Sequence, residues 1–111
     1  MGKALSNTDV PVVKGTSGIL LFPADESTRV ESMPCIRCAK CVQVCPMNLE
    51  PYLLMTLSEL GMYDKAEKES ITDCMECGSC SFTCPAGRAL LDYIRLGKST
   101  IIKKAREKAI K

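Results

Sequence analysis

Two stretches hold all eight cysteines of the chain: PCIRCAKCVQVCP at 34 to 46 and DCMECGSCSFTCP at 73 to 85. Each reads C-x2-C-x2-C-x3-C-P. Three thiols at every third position suit a tight loop wrapped round one compact object, with three sulfurs aimed at three of its corners. The fourth thiol leaves with the outgoing chain and points elsewhere. This spacing belongs to loops that hold iron–sulfur cubes, where the last sulfur of each run serves the other cluster. The expected ligand sets are therefore crossed. Cys35, Cys38, Cys41 and Cys84 take one 4Fe–4S cluster, and Cys74, Cys77, Cys80 and Cys45 take the second. Soft thiolates suit such clusters, and the crossing makes cluster binding part of folding.

Other uses of eight thiols fit less well. Zinc pairs two C-x2–4-C knuckles across a longer gap, where a third cysteine so close to the second has no task. Disulfides between such near neighbours would be strained. There is no histidine, which excludes Rieske-type ligation. The N-terminus has no secretory h-region, so a reducing, cytosolic setting is expected, where thiol-rich sites hold metal. Gly78 and the small Ala39 let backbone amides approach the sulfurs. Pro46 and Pro85 fix φ where the chain leaves each site. Met47, Met55, Met62 and Met75 either shield the clusters or simply fill a small core. Arg37 and Glu76 hold equivalent positions with opposite charge, as surface residues or as a device that separates two potentials.

The elements that must position these thiols come in two copies. Cys35, Cys38, Cys41, Cys45 and Pro46 recur 39 positions later as Cys74, Cys77, Cys80, Cys84 and Pro85, each set leading into a helix. The first helix is expected over 48–61, with Asn48 as N-cap, Pro51 in the first turn, Gly61 at C′ and Leu53, Leu54, Leu57 and Leu60 on one face. A shorter charged helix follows over 63–70. The segment 88–111 places Leu90, Leu91, Ile94, Ile101, Ile102, Ala105 and Ala109 on one side. Gly97 and Thr100 weaken its middle, so it is expected to bend or divide. Residues 1–33 differ: VPVV (10–13) and ILLF (19–22) read as two short strands about a glycine turn, followed by a loop. The fold class expected is mainly α, a helical two-cluster ferredoxin-like domain over 34–111 with a short β-hairpin-like N-terminal extension over 1–33.

With 111 residues, no tryptophan and five aromatics, the core is thin, and a metal staple suits it. No apolar run approaches the roughly 20 residues that span a bilayer. The net charge of +2 is uneven, because residues 86–111 carry eight Lys/Arg against two acids. Such a tail is either a solvated helix face or a contact for nucleic acid, anionic lipid or an acidic partner. No G-x-G-x-x-G, P-loop or Ser/His/Asp set is present, so an electron-transfer module is favoured over an enzyme with its own substrate site.

The flanking residues add a resemblance. DVPVVKGTSGILLF, then PCIRCAKCVQVCPMNLEPYLL and DCMECGSCSFTCPAGRALLDYIRLGK, resembles the C-terminal part of the RnfC family, a peripheral component of the Rnf ion-translocating ferredoxin:NAD oxidoreductase. The resemblance implies two 4Fe–4S clusters and electron flow between ferredoxin and NAD coupled to ion pumping. It implies partners among the other Rnf subunits, including a ferredoxin-like iron–sulfur subunit and membrane subunits. It also implies a peripheral place on the cytoplasmic side of the bacterial inner membrane. FMN and NADH would bind in an upstream region that this sequence lacks, so the chain reads as a fragment and residues 1–33 as the remnant of a neighbouring domain. The competing expectation is a structural iron–sulfur module that binds nucleic acid or a protein through its basic helix. Against nucleic acid, that helix offers one aromatic, Tyr93, for base stacking.

Overall fold

The computed structural model describes Gly2 and residues 4–111. The chain divides into two compact units, Met1–Val30 and Glu31–Lys111.

In the first unit a turn forms at 14–15, closed by the Thr16 amide on the Val13 carbonyl at 2.9 Å. The Val13 amide in turn donates to Thr16 Oγ1 at 3.1 Å. The hairpin expected around this turn does not form, and no strand occurs among the described residues. Pro11 has no amide to give to a ladder, and a lone two-stranded hairpin without a packed face is marginal in water. The apolar runs stand in solvent, with Leu21 93% exposed. The loop expected after them includes one helical turn, α1 (Ala24–Ser27), with Asp25 and Glu26 in that turn.

The second unit is helical: α2 (Lys40–Gln43), α3 (Pro51–Glu59), α4 (Tyr63–Lys68), a 3-10 turn at Ile71–Asp73, α5 (Ser79–Thr83) and α6 (Leu90–Ile110). The 39-residue repeat survives as geometry, since α2 and α5, and likewise α3 and α6, begin 39 positions apart. Pro51 occupies N1 of α3, where its missing amide costs nothing. Asn48 is not the N-cap. Its φ is +53°, which places it in the turn before the helix. At the other end Gly61, at φ +69°, takes C′ of a Schellman closure. The Met62 amide reaches the Leu57 carbonyl at 2.8 Å, and the Gly61 amide reaches that of Ser58 at 3.2 Å. The chain leaves there, and Leu60 faces solvent rather than the core.

The core is built where α3 crosses α6. Leu54, Leu57, Ala66, Ile71, Ile94 and Ile101 form one buried cluster, and Met55, Cys80 and Leu90 form a second. Full burial of such an aliphatic side chain contributes about 1.5–3 kcal/mol. α6 neither bends nor divides. Gly97 lies inside one continuous helix and is buried. A Cβ there would lie 2.9 Å from Ile71 Cδ1 and 3.1 Å from Ser58 Cβ, and would collide with Ser58 Oγ. Ser58 and Gly97 are themselves equivalent positions of the repeat, so the two long helices touch at their matching small residues. Beyond Ile101 the helix leaves the core, and Ile102, Ala105 and Ala109 are exposed. No helix among the described residues is long and apolar enough to cross a membrane.

Candidate metal centre

The two cysteine loops share one backbone path. Arg37 (φ +56°) matches Glu76 (+58°), Ala39 (+59°) matches Gly78 (+84°), and Asn48 (+53°) matches Gly87 (+60°). Five non-glycine residues of the described chain have positive φ, and four of them lie in these loops or their exits. A left-handed residue costs roughly 1–2 kcal/mol, so strain is concentrated at the thiols. What it achieves is curvature. Each loop turns back on itself, and its amides point at sulfur. The Arg37 amide donates to Cys35 Sγ, the Glu76 amide to Cys74 Sγ and the Leu49 amide to Cys45 Sγ, all at 3.4 Å. Gly78 is needed for its φ rather than for space, because a Cβ there would meet only Leu91 Cδ2 at 3.4 Å.

Two cavities open against these loops. Cys74, Cys77 and Cys80 line the first, which has about 360 Å³ of space, and Cys45 of the other repeat joins them. Its remaining wall is apolar, with Met47, Leu54, Met75 and Ile94. Cys35, Cys38 and Cys41 line the second, joined by Cys84. This one is wider and more open, with Tyr52, Met55, Arg88 and Leu90 in its wall. Met62 lines neither. All eight thiols are free. Among the described residues no three His, Cys, Asp or Glu side chains converge tightly enough to hold a single ion. Each thiol set instead surrounds a space, with amides aimed at the sulfurs. That donor set and that cradle fit an inorganic cluster.

The thiols differ in their surroundings. Burial pushes Cys41, Cys74 and Cys80 above the ordinary thiol range, and at Cys74 a backbone amide and Lys98 work against it. Cys77 goes the other way, because the Ser79 hydroxyl and amide favour its thiolate. Metal loading of the raised thiols therefore expels protons. Several positioning residues carry no signal in the sequence. Lys98 Nζ donates to the Cys74 carbonyl at 2.6 Å and lies 3.5 Å from Glu76 Oε1. Arg95 Nε donates to Glu76 Oε2 at 3.0 Å. Ser81 Oγ accepts from the Leu91 amide at 2.9 Å and so satisfies an open donor at the start of α6. The Met33 amide donates to the Ala86 carbonyl at 2.9 Å, fastening the approach to the first loop onto the exit of the second. These partners lie up to 53 positions apart in sequence, beyond the reach of any local pattern.

A 4Fe-4S dicluster domain model matches residues 27–85. Over 107 residues the chain is 45% identical to the RnfC-type component of the Na(+)-translocating ferredoxin:NAD(+) oxidoreductase complex of Acetobacterium woodii, covering 96% of this chain and 24% of that protein. It is 45% identical over 100 residues to the corresponding component of the proton-translocating ferredoxin:NAD(+) oxidoreductase complex of Clostridium ljungdahlii, covering 89% and 22%. It is 41% identical over 106 residues to that of the ion-translocating oxidoreductase complex of Methanosarcina acetivorans, covering 96% and 24%. The chain thus spans about a quarter of the length of these relatives.

Proposed function

The chain belongs to the 4Fe-4S dicluster domain family, and from that membership we propose that it is the electron-transfer domain of an RnfC-type subunit in an ion-translocating ferredoxin:NAD oxidoreductase. It carries two 4Fe–4S clusters. The proposed ligands are Cys35, Cys38, Cys41 and Cys84 for one, and Cys74, Cys77, Cys80 and Cys45 for the other. One observation supports this crossed assignment above the rest: each cavity is lined by three thiols of one repeat and the last thiol of the other.

When bound, each cluster accepts and gives up one electron without bond cleavage. The chain's own residues do the rest. Amides of Arg37, Glu76 and Leu49 donate to sulfur and offset the charge of the thiolates. Leu54, Ile94 and Met47 keep water from the narrower cavity. The Cys35 loop is the exposed one, with Cys35 and Cys38 at the surface, and it is the proposed face for exchange with a partner.

The partners proposed are the other subunits of such a complex, among them a ferredoxin-like iron–sulfur subunit and membrane subunits. They would hold the domain at the cytoplasmic side of the membrane. FMN and NADH would be handled by regions of the longer relatives that this chain does not share. Anaerobic reconstitution with iron and sulfide should give about eight irons per chain, with spin coupling between two reduced centres in low-temperature EPR. Cys84→Ser should damage the cluster of the Cys35 loop and spare the other. A colourless protein holding zinc would refute the reading, and damage confined to the Cys74 loop would refute the crossing.

A further inference from the structure

The two loops match in backbone but not in charge. Beside the second loop, Glu76 faces two cations at once, Arg95 at 3.0 Å and Lys98 at 3.5 Å. Lys98 and Arg95 retain only 20% and 24% of their side-chain exposure. One carboxylate cannot balance both, and the surplus cation, Lys98, is the one held on the Cys74 carbonyl at 2.6 Å. A shift of 39 positions carries Lys98 onto Glu59 and Arg95 onto Thr56. Glu59 pairs with Arg88 at 3.6 Å, and Arg88 lines the wider cavity. The position that supplies a cation to one repeat therefore supplies an anion to the other.

Building on the two-cluster reading, we infer that Lys98 is a positioning residue that raises the reduction potential of the cluster held by the Cys74 loop. Reduction adds one electron to a centre already made anionic by four thiolates, and no bond forms or breaks. Burial opposes that added charge, and this is the narrower, apolar cavity, with Cys80 in the buried core. A cation held at the carbonyl of a ligand residue, largely withdrawn from water, acts through a poorly screened path and favours the reduced form. Lys98 offsets the penalty of burial, so the two clusters of a symmetric repeat acquire different potentials.

The test is an EPR-monitored titration with dithionite of the reconstituted chain, comparing wild type, Lys98→Gln and Lys98→Arg, with iron counted in each. In Lys98→Gln one cluster should become at least about tenfold harder to reduce, a fall of about 59 mV for one electron, while the other moves much less. Lys98→Arg should keep the wild-type potentials, because charge rather than amine shape is at stake. If Lys98→Gln retains wild-type iron and neither potential moves, or both move equally, the inference is overturned. A shift in Lys98→Arg as large as in Lys98→Gln overturns it too. A wild-type chain without about eight irons overturns the two-cluster reading itself and this inference with it, so the two failures are distinguishable.

Discussion

Replacing Gly97 by alanine sets two well-known effects against each other. Alanine in a helix interior is favoured over glycine by about 1 kcal/mol, so propensity alone predicts a more stable protein. The structure predicts the reverse. The new methyl would sit 2.9 Å from Ile71 Cδ1 and 3.1 Å from Ser58 Cβ, nearer than packed carbons tolerate, with Ser58 Oγ closer still. The serine hydroxyl can rotate away. Its Cβ cannot move unless α3 moves, and Ile71 has no exposed surface through which to escape. Overpacking of this kind costs about 1–3 kcal/mol. Because both neighbours are confined, the upper half of that range applies, and the net loss is about 1–2 kcal/mol. For a unit of this size the thermal midpoint of the reconstituted chain should fall by roughly 5–15 °C. Ser58→Gly in the same chain removes the obstructing Cβ together with a buried hydroxyl that has no hydrogen-bond partner, so the double variant should recover much of the loss. A Gly97→Ala chain that melts higher than wild type would refute the close-contact argument.

Two further outcomes follow from the loops and the cap. Ala39→Gly relieves a left-handed alanine and should raise the thermal midpoint, by up to about 1 kcal/mol of stability. Gly78→Ala imposes the same conformation on a residue that resists it and should lower stability by about 1–2 kcal/mol; changes of the same sign in both variants would contradict the shared backbone path. Ser81→Ala leaves the Leu91 amide without its acceptor at 2.9 Å and should cost about 1 kcal/mol, as loss of a helix cap does. An unchanged midpoint would mean that water replaces the hydroxyl.

The cysteines were legible because metal chemistry fixes both residue type and spacing, and neither depends on what the chain does elsewhere. The long helices were legible for a similar reason, since Leu54, Leu57, Ile94 and Ile101 repeat at the period of one face. Errors arose where a local signal had two meanings. Asparagine serves as an N-cap and also tolerates a left-handed backbone, and Asn48 does the second, in step with Gly87. Gly97 reads as a helix breaker until Ser58 is known to lie against it. β-branched runs near Pro11 suggested strands, yet a strand needs a neighbour with open donors and acceptors, and the first unit offers none among the described residues. Lys98, Arg95 and Ser81 could not have been found in advance. Their partners lie between 10 and 24 positions away, across the packed interior.

Because Cys84 stands in the cavity of the first loop and Cys45 in that of the second, neither half owns a complete set of sulfurs. Truncation to one copy would not halve the protein's capacity; it would leave a three-pronged grip with an open corner. Such a half could be completed only by meeting a second molecule like itself. Joining the halves in one polypeptide makes that meeting permanent and independent of concentration, and it binds the fate of each centre to a cysteine encoded in the other's segment.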